Sequence, residues 1–270
     1  MLTMDAIDFD SLVYMFKGEP GTRKSTCALS FPGPQYWFSW DRKMNNIALP
    51  MKKWGIDPKT IHYDDYEDWT KPKAKLEQLQ SNCPYKTIVF DSLTSMADMT
   101  LRQTTRLKYG VTRSSGAQAG KLIAGIAVNE IEDYNAESAA LQELVALAKD
   151  IKGYHKINVI LIAHVVKAEY RDSTKKTTHI SRQIVTAGKN VAAKIPAYCN
   201  EIYHFNIKSG MVEGSGGDYS LLTRHTGDDF ANSSLELDRE IVFKDNPLYE
   251  TYIKPAIAKT KQSYVPITKI

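Results

Sequence analysis

The segment Gly18-Glu19-Pro20-Gly21-Thr22-Arg23-Lys24-Ser25-Thr26 limits what this chain can fold into more than any other. It follows the apolar run Leu12-Val13-Tyr14-Met15-Phe16 and precedes a helix-compatible stretch. The order strand, glycine-bearing loop, Lys-Ser, helix describes a phosphate-binding P-loop. The backbone N–H groups of such a loop and of the first helical turn converge on an anion, and the helix dipole adds partial positive charge. Gly18, Gly21, Thr22, Arg23, Lys24, Ser25 and Thr26 are therefore the candidate nucleotide contacts. Lys24 would reach the β- and γ-phosphates of ATP, and the Ser25 hydroxyl would ligate Mg²⁺. The pattern G-x-x-x-x-G-K-S asks for glycine where this chain has Arg23. Its guanidinium either clamps a phosphate or points to solvent while the backbone alone serves the loop. The competing reading of the segment is an ordinary strand-to-helix turn around Gly-Pro-Gly.

Strand-like and helical stretches alternate along most of the chain. That predicts an α/β fold with a mostly parallel sheet flanked by helices. Helices are expected over 24–30, 74–80 and 93–108, and strands at 35–40, 61–63, 86–91 and 158–164. Residues 109–120 read as a mobile loop. Leu141, Leu144, Val145, Ala148 and Ile151 recur at helical spacing and predict a core-facing stripe. Asn158-Val159-Ile160-Leu161-Ile162-Ala163 is the most hydrophobic run, the pattern of a central strand covered on both faces. Residues 201–207 and 219–223 alternate like the arms of an antiparallel hairpin around Gly214-Ser215-Gly216-Gly217-Asp218. The expected organisation is a core over 1–207 with a C-terminal β-rich extension over 208–270 packed on it.

Lys86-Thr87-Ile88-Val89-Phe90-Asp91 is a β-branched apolar run ending in an acid. Strands of a parallel sheet end at one edge, so Asp91 and Ser25 can share one Mg²⁺, the Walker B arrangement. Asp91 can also N-cap the helix that follows, and the two roles are compatible. With 270 residues, a net charge of +4 and ordinary apolar content, the chain buries a substantial core and tolerates a nucleic-acid partner. Cys27, Cys83 and Cys199 are far apart in no metal-like spacing and read as reduced thiols. The acidic first residues and the lack of a membrane-length apolar run predict a soluble, intracellular protein.

The P-loop segment, Thr87-Ile88-Val89-Phe90-Asp91-Ser92-Leu93-Thr94, Val159-Ile160-Leu161-Ile162-Ala163-His164-Val165 and Lys194-Ile195-Pro196-Ala197-Tyr198-Cys199-Asn200-Glu201-Ile202-Tyr203 occur in order over roughly residues 10 to 230. In these motifs the chain resembles the RecA-like P-loop ATPases encoded by bacteriophages, a group that includes small single-strand annealing ATPases. The resemblance implies a RecA-like core, Mg²⁺-dependent ATP hydrolysis, and action on single-stranded DNA as a ring or filament in the host cytoplasm. It implies a water-polarising acid at the end of the strand beside the P-loop strand, a position that falls on Asp41. Relatives usually carry glutamate there, and Asp41 also reads as a solvated turn acid. The resemblance likewise makes His164 the polar sensor of the γ-phosphate, against the plainer reading of a structural histidine.

Residues 167–194 are polar and rich in Lys and Arg. In RecA-like proteins a DNA-binding loop projects from this segment, which makes Arg171, Lys175, Lys176, Arg182 and Lys189 the candidate phosphate contacts. A solvated surface loop is the alternative. An oligomeric ATPase also needs a cation delivered across the subunit boundary, for which Lys194 and Arg224 are candidates. The rival functional reading is a nucleotide-dependent interaction protein, a helicase-loading or packaging accessory with weak or no hydrolysis. A small-molecule kinase on the same loop ranks last, because the sequence carries no compact arginine-rich lid.

Overall fold

The computed structural model describes residues 7–111, 122–123, 126–127, 131–171, 177–186, 194–208, 218–227 and 229–263. In chain order the first elements are β1 (Val13–Gly18), α1 (Lys24–Leu29), β2 (Gln35–Ser39), α2 (Ala48–Lys53), β3 (Ile61–Asp65), α3 (Thr70–Ser81), β4 (Thr87–Asp91) and α4 (Leu93–Val111). The short pieces β5 (Leu122–Ile123) and β6 (Ile126–Ala127) precede α5 (Ile131–His155) and β7 (Asn158–Ala163). Then come β8 (Val165–Arg171), β9 (Thr177–Ile184), β10 (Glu201–Lys208), β11 (Asp218–Leu222), β12 (Glu240–Phe243) and α6 (Lys254–Ser263).

One eight-stranded sheet, in the order β12-β11-β10-β1-β7-β4-β2-β3, organises the molecule. From β10 to β3 every pairing is parallel, and β11 and β12 add antiparallel strands at one edge. This is the expected α/β class with its C-terminal antiparallel hairpin. Period-two alternation sends side chains of one strand into two cores. Val13, Met15, Ile88, Phe90, Val159 and Leu161 meet the apolar stripes of α3, α4 and α5, including Leu76, Met96 and Leu144. Tyr14, Phe16, Val89, Ile160 and Ile162 face α1 and the C-terminal segment, including Leu248, Ile253 and Ile257. The predicted α5 stripe is buried throughout, and β7 lies between β1 and β4 as a doubly covered strand. Each such side chain contributes roughly 1.5–3 kcal/mol by leaving water. Because the parallel strands end together, the loops after β1, β4, β2 and β7 gather at one edge of the sheet.

Three expectations change. The strand ending near Asp41 is not beside the P-loop strand: β7 and β4 stand between β1 and β2. The resemblance implied adjacency, but the more hydrophobic β7 and β4 take the central places. The basic stretch after β7 is not simply a loop, since β8 and β9 form an antiparallel two-stranded hairpin with register Val165↔Ile184 to Arg171↔Thr177. The C-terminal extension expected to be β-rich also carries helix, at Tyr249–Ile253 and α6. Helix α4 runs on to Val111, and the remainder of the proposed loop, 112–120, lies outside the described residues. Among the described residues no helix is long and apolar enough to cross a membrane.

Candidate active site

The loop between β1 and α1 is built on two glycines used for different reasons. At Gly18 an added Cβ would lie 2.4 Å from the Phe205 carbonyl oxygen, so the close approach of β10 demands glycine. Gly21 has φ +80 and open space around it, so backbone conformation, not crowding, is what favours glycine. Thr22 is buried and its hydroxyl donates to the Glu19 carbonyl at 2.8 Å, bracing the loop. Lys24 opens α1 and turns back over the loop. Its ammonium donates to the carbonyls of Gly18 at 2.8 Å and Glu19 at 2.7 Å, and lies 3.2 Å from Thr22 Oγ1. Burial pulls the ammonium down to about 8, while Asp91, Asp41 and Glu19 pull the other way. Thr26, one residue beyond Ser25, is half-buried on α1.

Arg23 occupies the left-handed region, φ 64 and ψ 23, which explains why the pattern asks for glycine there. Its side chain is not aimed at a phosphate. The guanidinium donates to the Lys244 carbonyl at 3.0 Å, pairs with Asp245, and lies 4.5 Å from the centre of the Tyr219 ring. The clamp reading of Arg23 is thereby corrected: only its backbone belongs to the loop.

Ser25 Oγ donates to Asp91 Oδ2 at 2.8 Å, joining the P-loop helix to the tip of β4. The cap of α4 belongs to the next residue, because Ser92 Oγ accepts the Ser95 N–H at 3.3 Å. Asp91 is thus left to face the site. Burial pushes its carboxyl up to about 6; the Ser25 hydrogen bond, Lys24 and Lys43 oppose the rise and Asp41 adds to it. Asp41 sits just beyond β2, with Ser92 Oγ 3.5 Å from its Oδ1. It lines a cleft of about 470 Å³ together with Trp40, Lys43, Tyr66 and Ser95. His164 follows β7, and its backbone N–H donates to Thr94 Oγ1 at 3.0 Å. Among the described residues its Nδ1 is buried without a hydrogen-bond partner. Burial and the Lys24 charge hold the imidazole below its usual range, so the ring is neutral at pH 7. Four strand tips therefore bring Lys24, Ser25, Asp91, Asp41 and His164 within electrostatic reach of one another.

These residues suit a magnesium–nucleotide pair. A buried lysine, a hydroxyl on a carboxylate and an orphaned ring nitrogen are a donor and acceptor set for phosphate oxygens and a hard cation. The other candidates lie elsewhere. Lys175, Lys176, Lys189 and the Arg171 side chain fall outside the described residues. Arg182 is not a free cation of the hairpin, because its Nη1 donates to Asp229 Oδ2 at 2.7 Å. Arg224 spends its guanidinium on the carbonyls of Ser233 at 2.7 Å, Leu235 at 3.1 Å and Thr223 at 3.3 Å, which corrects its reading as a cation for a neighbour. Lys194 is exposed just before a short 3₁₀ turn, Ile195–Tyr198. Sequence reasoning missed Lys43, an exposed cation whose field reaches both Asp91 and His164. It also missed Lys17, whose signal was a lone lysine inside an apolar strand.

The sequence matches a protein family described as AAA domain over residues 11–233. No curated protein matches it. Among solved structures, the crystal structure of the flagellar accessory protein FlaH from Methanocaldococcus jannaschii is similar with a TM-score of 0.42 and 13% identity, covering 87% of this chain and 86% of that chain.

Proposed function

The chain belongs to the AAA domain family and carries a P-loop ATPase domain, and from that premise and the site geometry we propose that it binds ATP with Mg²⁺ and hydrolyses it. The observation that carries this reading is the 2.8 Å contact between Ser25 Oγ and Asp91 Oδ2 beside the buried Lys24. Ser25 and Asp91 would hold the magnesium ion, which supplies positive charge to the β- and γ-phosphate oxygens. Lys24 exchanges the loop carbonyls for phosphate oxygens, a swap of neutral for charged acceptors that strengthens each hydrogen bond. His164, neutral, donates one N–H toward the γ-phosphate and so reports its presence. Asp41 holds the attacking water as general base, since its field reaches both Lys24 and Asp91. Preorganised charge around the transferring phosphoryl does most of the catalysis.

The finer reading is a RecA-like phage enzyme that acts on single-stranded DNA in recombination, annealing or replication, as a ring or filament in the host cytoplasm. It is supported by the resemblance of the motifs and by the basic hairpin β8–β9, which begins immediately after His164. Lys194, exposed, is the cation such an oligomer would offer to its neighbour. The rival, a nucleotide-dependent loading or packaging accessory with little hydrolysis, draws on Asp41 standing beyond Asp91 from the loop, at the tip of a strand separated from β1 by both β7 and β4. An ATPase assay with and without single-stranded DNA separates them. Turnover that DNA accelerates is expected. Tight ATP binding with negligible turnover in both conditions would establish the accessory, and absence of ATP binding would end both readings.

A further inference from the structure

A second charged cluster lies buried beside the site and is used by none of the roles above. Lys17, 3% exposed at the end of β1, donates from Nζ to the Arg182 carbonyl at 3.3 Å. The Arg182 guanidinium reaches Asp229, itself 6% exposed, at 2.7 Å. The other Asp229 oxygen lies 3.6 Å from Nε2 of His204, the register partner of Lys17 on β10. Burial, with Lys17 and Arg182 nearby, holds His204 down to about 4. The imidazole is therefore neutral, and Asp229 pairs with Arg182 and lies in the field of Lys17, while among the described residues its Oδ1 has no hydrogen-bond partner.

The location of the cluster gives it meaning. Gly18, the first residue of the phosphate-binding loop, follows Lys17 directly. Arg182 belongs to β9 at the base of the hairpin, where it pairs with Lys167. The same base is tied a second time, because Val185 N–H donates to the His164 carbonyl at 2.8 Å. The hairpin thus has two roots, one at His164 and one at Lys17, and both adjoin the triphosphate site. If packing were the only requirement, apolar side chains would fill this place with no desolvation cost. Burying Lys17 and Asp229 against a half-exposed Arg182 instead fixes one orientation, because a displaced carboxylate or ammonium would be left unpaired out of water.

We propose that Asp229 is a positioning residue: through Arg182 and Lys17 its carboxylate bolts the base of the β8–β9 hairpin to the strand bearing the phosphate-binding loop, so that hairpin and nucleotide site move as one body. The second half rests on the nucleotide reading above; the bolt itself does not. Amide hydrogen exchange tests both, on the full chain with and without a non-hydrolysable ATP analogue and Mg²⁺. Without nucleotide, Asp229→Asn is expected to speed exchange at the hairpin base (165–168 and 181–185) by about tenfold, the scale of one lost charge-assisted hydrogen bond. Arg182→Gln, at a half-exposed residue, should do the same, and the double variant should add little. With the analogue, the unmodified chain should gain protection at 18–26 and at the hairpin together, and the variants at 18–26 alone. Unchanged ligand-free exchange in both variants, with the protein folded, overturns the bolt. Hairpin protection that persists in the variants overturns the coupling. No protection at 18–26 in the unmodified chain sinks the nucleotide reading and the coupling with it, while the ligand-free comparison still decides the bolt.

Discussion

Lys24 shows how a single side chain can be placed for a ligand at the expense of the empty fold. Its ammonium is buried and drawn to about 8 from an ordinary 10.5, so at pH 7 the folded chain keeps a charge it would shed more readily than the unfolded one. Lys24→Met is therefore expected to raise ligand-free stability by about 1–3 kcal/mol at neutral pH while weakening ATP binding at least about 100-fold. Between 8 and 10.5 the unfolded chain holds a proton that folded Lys24 has lost, so the native protein gains stability relative to the variant as pH rises. The advantage of Met, complete below 8, should vanish above 10.5. Urea denaturation of both proteins across that window checks it; a variant less stable at neutral pH would show that the carbonyl contacts outweigh desolvation. Arg23 makes the complementary case. The sequence showed that this residue departs from the loop pattern but not where its guanidinium goes, because Asp245 and Tyr219 lie more than 190 positions away in the chain. Arg23→Gly relieves a left-handed residue and loses an exposed ion pair and a ring contact, so stability should stay within about 1 kcal/mol. ATP affinity should stay within about threefold; a loss beyond about thirtyfold would restore the phosphate role of the side chain.

Among the elements, those buried on both faces were the plainest to read, although the mostly exposed edge strand β3 was also expected, at 61–63. β1, β4 and β7 announce themselves as largely apolar runs, and α5 as a periodic stripe, because burial on both faces disfavours polar side chains at all but a few places such as Lys17. The hairpin β8–β9 escaped detection because it stands outside the main sheet, so neither of its faces is required to be apolar. Recognising it redistributes the basic residues. Arg182 is committed to Asp229 at the base, whereas Lys175 and Lys176 fall in the sequence between the two strands. If the hairpin contacts single-stranded DNA, replacing Lys175 and Lys176 with Ala should reduce the slope of log affinity against log salt by about 1.4, at roughly 0.7 per phosphate contact. Arg182→Gln should leave that slope unchanged. A slope insensitive to the lysine pair would place the DNA contact elsewhere or remove it.

At the level of the whole molecule, the nucleotide loop depends on a segment that the sequence did not single out. Helix α1 spans only Lys24–Leu29, too short to hold its own position in water. The C-terminal residues Leu248, Tyr249, Ile253, Ala256 and Ile257 join Cys27, Ala28, Leu29 and Phe31 in one core. The Tyr249 N–H donates to Ser30 Oγ at 2.9 Å, and its ring centre lies 4.8 Å from that of Phe31. These apolar residues were hard to read because Tyr249–Ile253 winds as a π-turn before Pro255, which blurs the helical period. Their position over α1 implies that folding of the chain end and readiness of the loop are linked. Ile253→Ala removes a fully buried side chain from this core and should cost about 2–4 kcal/mol of stability. It should also weaken ATP binding several-fold, though Ile253 is none of the residues placed at the phosphates, because a loosened α1 presents Lys24 and Ser25 less often in the binding geometry. Ala148, buried at 0% exposure on α5 in the opposite core, supplies the control: Ala148→Gly should destabilise the fold while leaving the affinity of the folded fraction unchanged. Equal affinities in all three proteins, corrected for the fraction folded, would mean that α1 holds its place without the C-terminal cover.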